Sequence, residues 1–305
     1  MKHCYITAFL IALALLSACS PLSARSAIAP TGTRSVATTA APPAAPTQTP
    51  PLAGSITKQT PFAQLTKETC LIAGGQSEQL SLASEFLDHP LAFRVVTPPC
   101  YAEHTDESYP VLYLIHGQTY TDDQWDRLGA GEAADALVAA GELPPFIIVL
   151  PADASHYTQP SANGFDEAVA ADLLPWIDSH YRTIPDRQHR SVGGLSRGAS
   201  WAIHLALTHP ELFGALGGHS PPVFQEDASK VRGWLDALTA ETAPRIWLDI
   251  GERDQRAILD SAVWFEGLLD ERDLPHEWSL FTGDHSEDYW SRHVELYLRW
   301  YAAEW

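Results

Sequence analysis

Beyond residue 68, short apolar runs alternate with longer amphipathic segments, and this rhythm limits the possible fold more than any single motif does. Two β-like stretches, 79–86 and 91–97, flank Leu87-Asp88-His89-Pro90 and read as a hairpin. The candidate strands that follow are 111–115, 146–150, 191–193, 213–217, 246–250 and 278–281. Between them the sequence predicts helices over 122–140, 164–180, 197–208, 227–239, 256–271 and 286–302. Helical spacing is explicit in Ile258, Ala262, Phe265 and Leu269, and again in Trp290, Val294, Tyr297 and Tyr301. Strands alternating with helices build βαβ units, so the expected class is α/β, with a mainly parallel central sheet, an N-terminal antiparallel hairpin and helices on both faces. Function in such sheets gathers at the carboxyl ends of the strands.

With 305 residues, 45% of them hydrophobic, the chain has enough apolar side chain to fill one large core. Charge is distributed unevenly. No Asp or Glu precedes Glu68, while Lys2, Arg25, Arg34, Lys58 and Lys67 make the front basic. The remainder holds all 38 acidic residues against 14 of the 19 basic ones, a net charge of about −24. Nucleic acid is therefore excluded as a natural partner, since binding it depends on Lys and Arg neutralising phosphates. The acidity reads first as a solubilising surface, and second as attraction for cationic substrates.

Met1-Lys2-His3 leads into an apolar run from Cys4 to Leu16, too short for a permanent bilayer span and suited to an export signal. It ends in Leu16-Ser17-Ala18-Cys19, which resembles the lipobox of bacterial lipoproteins. By that resemblance 1–18 is a signal peptide and Cys19 the lipidated first residue, making the protein extracytoplasmic and held to the cell envelope by Cys19. Ordinary cleavage near Ala18, giving a secreted protein, is the alternative. Residues 19–61 are Ala, Pro, Thr and Ser with little bulky apolar content, a composition expected to stay an extended tether. The folded domain is then expected over 62–305. Of the remaining cysteines, Cys70 and Cys100 are expected to pair in an exported domain, closing a loop of about 30 residues worth roughly 3 to 4 kcal/mol. Two free buried thiols are the alternative.

Gly194-Leu195-Ser196-Arg197-Gly198 lies between a strand and a helix, the setting of a serine held exposed on a tight turn. A serine hydroxyl is a weak nucleophile and needs a base that is itself oriented by an acid. Asp254 follows the strand at 246–250, and His285 follows the strand at 278–281, both on the functional edge. His276 begins its strand on the opposite edge, and His293 is mid-helix. The oxyanion of a tetrahedral intermediate needs N–H donors. The Arg197 amide is one candidate, and in the loop His116-Gly117-Gln118-Thr119 the Gln118 amide is the other. The His116 ring is expected to shape that loop and take no part in proton transfer.

Tyr109 to Gly117 with Trp125, Asp172 to Asp178, Tyr181-Arg182, Gly194 to Gly198, His209 to Phe213, Gly251 to Asp254 and Gly283 to His285 form an ordered set. From about residue 78 onward this set resembles the "Putative esterase" branch of the α/β-hydrolases, which includes esterase D and enterochelin esterases. The resemblance implies an α/β-hydrolase fold and a serine carboxylesterase in which Ser196 is nucleophile, His285 base and Asp254 acid, with the Gln118 and Arg197 amides as oxyanion hole. It implies no cofactor and no metal. The substrate would be a small-molecule or glycan-linked ester. Arg197 and Ala199 stand where relatives commonly carry Met and Gly, which is expected to place a charge near the acyl pocket. Trp125, His219 and Trp290 are candidates for lining that pocket, as is Trp201; core packing is the plain alternative for each tryptophan. Acyl transfer of the mycolyltransferase kind is a rival reading, and a surface-tethered binding protein that has lost the reaction is another.

Overall fold

The computed structural model describes residues 74–305. The expected signal peptide, tether, Cys19 and Cys70 lie outside the described residues, and no helix among the described residues is long and apolar enough to cross a membrane.

Eight strands form one sheet in the spatial order β1-β2-β4-β3-β5-β6-β7-β8. They are β1 (Gln76–Leu82), β2 (Leu91–Thr97), β3 (Val111–Ile115), β4 (Ile147–Pro151), β5 (Arg190–Leu195), β6 (Ala215–His219), β7 (Arg245–Gly251) and β8 (His276–Phe281). The pairs β1/β2 and β2/β4 are antiparallel and all later pairs are parallel. The helices are α1 (Gln124–Arg127), α2 (Ala130–Ala139), α3 (Phe165–Glu167), α4 (Leu174–His180), α5 (Arg197–Thr208), α6 (Val231–Ala237), α7 (Arg256–Asp270) and α8 (Glu287–Tyr301).

β3 shows why the sheet is covered on both sides. Its side chains alternate, so Val111, Tyr113 and Ile115 join the core under α3 to α7, while Leu112 and Leu114 join the core under α1, α2 and α8. On the first face Trp201, Ile203 and Leu205 of α5 share a core with Phe265 and Leu269 of α7. On the second, Trp290, Val294, Tyr297 and Tyr301 of α8 present the stripe that the i, i+4 and i+3 spacing predicts. Each fully buried side chain of this size contributes about 1.5–3 kcal/mol relative to exposure.

Several boundaries differ from the sequence expectation: the helix expected over 227–239 is Val231–Ala237, the strand expected over 278–281 starts at His276, and four further differences have a visible cause. The first strand lies three to four residues earlier, at Gln76–Leu82, because its pairing with β2 closes at Leu82 opposite Leu91. Its first four residues are exposed, so apolar patterning could not reveal them. The helix expected over 122–140 breaks at Gly129, whose φ of 88° lies in the left-handed region. Within 164–180, Ala168–Leu173 is π-helical between α3 and α4. The strand expected over 213–217 is Ala215–His219, which draws His219 into the sheet.

Candidate active site

Three loops at the carboxyl ends of β5, β7 and β8 carry Ser196, Asp254 and His285. Ser196 links β5 directly to α5 at φ 52° and ψ −121°, a conformation that L side chains rarely adopt. The two flanking glycines make this turn feasible. A Cβ on Gly194 would come within 2.3 Å of the Gly198 backbone, and one on Gly198 within 2.0 Å of the Ile115 carbonyl. The Ser196 N–H donates to the His219 carbonyl at 2.8 Å, which ties the turn to β6.

The side chains converge. His285 Nε2 lies 2.8 Å from Ser196 Oγ, and His285 Nδ1 lies 2.9 and 3.1 Å from the two carboxylate oxygens of Asp254. The Asp254 side chain is fully buried and also accepts from the Gln255 N–H at 2.6 Å. Nδ1–H therefore donates to Asp254, leaving the Nε2 lone pair toward the serine hydroxyl. Trp290 packs edge-on against the His285 ring, with centroids 4.9 Å apart.

A cavity of about 340 Å³ opens on this cluster and is lined by Ser196, His285, Gln118, Tyr157, Ile258 and Trp290, among others. A larger one, about 630 Å³, lies at the opposite sheet edge beside Arg245 and His276 and touches none of the three residues. Chemistry, not size, marks the smaller cavity as the site. Arg197 is the first residue of α5, so its amide has no intrahelical acceptor, and Gln118 borders the cavity on which Ser196 opens.

Of the pocket candidates, Trp290 lines the cavity and two others do not. Trp125 is 1% exposed and donates through its indole to the Ile115 carbonyl at 3.0 Å. His219 is fully buried, because β6 runs two residues further than its apolar pattern suggested. Both are core residues. Trp201 is likewise buried, donating to Asp153.

The Arg197 side chain adds no free charge to the pocket. Its Nε donates to Asp153 Oδ2 at 2.8 Å, and Nη2 donates to the carbonyls of Ser155 and Thr158. Burial alone would raise the Asp153 carboxyl, but the Arg197 charge and the hydrogen bonds from Trp201 and Asn163 hold it below its ordinary value. This clamp fixes the loop that presents Tyr157, 77% exposed, to the cavity. His116 also meets the loop, since its Nε2 accepts from the Asp153 N–H at 2.9 Å while Nδ1 donates to the Gly117 carbonyl at 2.7 Å. Burial pushes His116 below the usual histidine range. The ring shapes two loops, in line with the sequence expectation.

One residue escaped the sequence analysis. Gln124 is fully buried, accepts from the Gly117 N–H at 2.7 Å and donates to Glu287 at 3.1 Å. It thereby joins the loop carrying Gln118 to the helix that follows His285. Nothing in its spacing sets it apart from an ordinary helix residue.

The "Putative esterase" family matches residues 84–300. An endo-1,4-beta-xylanase/feruloyl esterase of Xylanibacter ruminicola is 31% identical over 153 residues, which is 47% of this chain and 21% of that protein. The chain thus spans about a fifth of that relative. A ferulic acid esterase of known structure superimposes with a TM-score of 0.68 at 24% identity, over 76% of this chain and 99% of the other. The S-formylglutathione hydrolase of Staphylococcus aureus gives 0.61 at 16% identity, over 75% and 99%. These likenesses, with the mixed eight-stranded sheet and the residues 84–300 matched as one block, place the chain in the Putative esterase family, with the α/β-hydrolase fold.

Proposed function

We propose that this chain is a serine carboxylesterase in which Ser196, His285 and Asp254 act as a triad. The hydrogen-bonded line from Ser196 Oγ through the imidazole to Asp254 carries the reading. In the acylation step the Ser196 oxygen bonds to the ester carbonyl carbon as its proton passes to His285 Nε2. The amides of Gln118 and Arg197 hold the oxyanion that forms. Collapse breaks the bond to the alcohol oxygen, which takes the proton from His285 and leaves. Water then gives a proton to His285 and attacks the acyl-enzyme; the acid departs as the proton returns to Ser196. Asp254 orients the ring and stabilises the transient imidazolium.

An aromatic acyl group is the proposed substrate class. Two relatives carry feruloyl or ferulic acid esterase in their names, and Tyr157 and Tyr120 stand exposed at the cavity rim. Export and lipidation at Cys19 belong to the same proposal and rest on the sequence at residues 1–19. So does a Cys70–Cys100 bridge, which rests on these being the two cysteines left in an exported domain.

A fluorophosphonate probe tests the mechanism: it should label the wild type and spare Ser196→Ala, and labelling that survives the substitution would remove the reading. Product analysis of a feruloyl ester with excess alcohol should give free acid; transferred ester would favour the acyltransferase instead.

A further inference from the structure

At the sheet edge remote from Ser196, Glu266 and Asp270 lie one turn apart on α7 and face His276, the first residue of β8. Ligand atoms of the three lie within 4.8 Å of one another. The imidazole is well buried, with 9% of the side chain exposed, and its Nδ1 is occupied by the Leu274 carbonyl at 2.8 Å. That bond makes Nδ1 a donor and leaves Nε2 facing the two carboxylates. Nε2 lies 4.0 Å from a Glu266 oxygen and 3.9 Å from an Asp270 oxygen.

Two carboxylates facing one ring nitrogen, with no direct hydrogen bond between them, form a pocket that a shared cation would fill. A proton on Nε2 would draw an oxygen to roughly 2.7–3.0 Å, as charge-assisted hydrogen bonds do. A divalent ion with ligand bonds of about 2.0–2.2 Å instead holds neighbouring donor atoms about 3 to 3.6 Å apart, a few tenths of an ångström closer than the Nε2–carboxylate separations here. The histidine is also held as metal-ligating histidines are, by a backbone carbonyl on the other ring nitrogen.

We propose that Glu266, Asp270 and His276 bind one borderline divalent ion of the Zn²⁺ class, with water completing its shell. The ion ties the end of α7 to the start of β8. This is the segment that runs from Asp254, before α7, to His285, after β8, so the site braces the triad's scaffold without touching the reacting atoms. It stands independently of the esterase reading.

The test uses the full-length chain, free of any histidine tag and stripped with a chelator. Titration with Zn²⁺ by calorimetry at neutral pH should show one site per chain, Co²⁺ should develop visible d–d absorption, and saturation should raise Tm by several degrees. His276→Gln should weaken binding at least a hundredfold. Asp270→Asn, at a largely exposed side chain that folding does not need, should weaken it at least tenfold. Absence of a stoichiometric site for either metal would overturn the proposal, as would equal affinity in Asp270→Asn. Hydrolysis of a simple aryl ester by metal-free protein reads the triad separately.

Discussion

Two histidines of this protein are wired alike and sit in different surroundings. His285 has Asp254 on Nδ1 and the Ser196 hydroxyl on Nε2. His219 has Asp249 on Nδ1 at 2.5 Å and the Tyr301 hydroxyl on Nε2 at 3.0 Å. The second set is sealed within the core: His219 and Asp249 are fully buried, and Asp249 also accepts from Tyr289 and Tyr297. Burial pushes the Tyr301 phenol well above its ordinary range, so it remains a hydrogen-bond donor. Ser196 instead stands on a strained turn facing a cavity. On the proposed reading, acid, imidazole and hydroxyl in a row do not by themselves make a catalytic set. Access and the placement of the hydroxyl decide, and the buried set serves as a polar strut beneath the turn it supports.

The sharpest test of that contrast removes the two hydroxyls. Ser196→Ala should lower kcat/KM on an activated ester by a factor on the order of 10⁴ or more with an unchanged melting curve. Tyr301→Phe should leave kcat within about twofold and cost about 1–3 kcal/mol in a denaturant titration, the usual penalty for stranding a buried acceptor. If Tyr301→Phe silenced catalysis in folded protein, the distinction would fail.

Removing the acids extends the comparison. Asp254→Asn should reduce kcat about 10³ to 10⁴-fold through loss of imidazole orientation. Asp249→Asn should instead destabilise by about 3–5 kcal/mol, because a buried charged partner is taken from a satisfied network. Its folded fraction should retain normal kcat, measured with active-site titration.

A third histidine sharpens the role of burial. His204 on α5 sits between Asp227 at 2.7 Å and Asp166 at 3.0 Å. Burial alone would lower its pKa, but the two carboxylates raise it to about 9. Since the folded value exceeds the ordinary 6.5, this stabilisation is complete below about pH 6.5 and is lost as pH rises through about 9. The shift corresponds to about 3 kcal/mol at most. Tm should therefore fall between pH 7 and 10, and His204→Asn should flatten that decline while lowering Tm at neutral pH.

The smallest effect concerns the cavity rim. Tyr157→Ala should raise KM for a feruloyl ester a few-fold and leave acetyl esters nearly unchanged, because a ring at the cavity rim would be reached only by a bulky acyl group. Steady-state kinetics on the two esters would check it, and equal changes for both would assign the ring no selective role.

Much of this was legible in the chain. The alternation of apolar runs and amphipathic segments determined the α/β class, since periods of 2 and 3.6 are local properties of strands and helices. The order Ser196, Asp254, His285 singled out the trio that converges at the cavity, because each follows a strand and parallel strands bring their carboxyl ends to one edge. What packs against what was decided only in three dimensions. His219 looked like a pocket residue because strand ends are set by pairing partners that local pattern does not contain, and Trp125 because its burial against the Ile115 carbonyl comes from packing that local pattern does not contain. Arg197 looked like a free charge until Asp153, 44 residues away, came within 2.8 Å. Gln124 gained its role only when Gly117 and Glu287, 163 residues from it, closed on its two ends. Local sequence carries periodicity and turn chemistry. Burial and partnership depend on residues distant along the chain, and these meet only when the sheet closes.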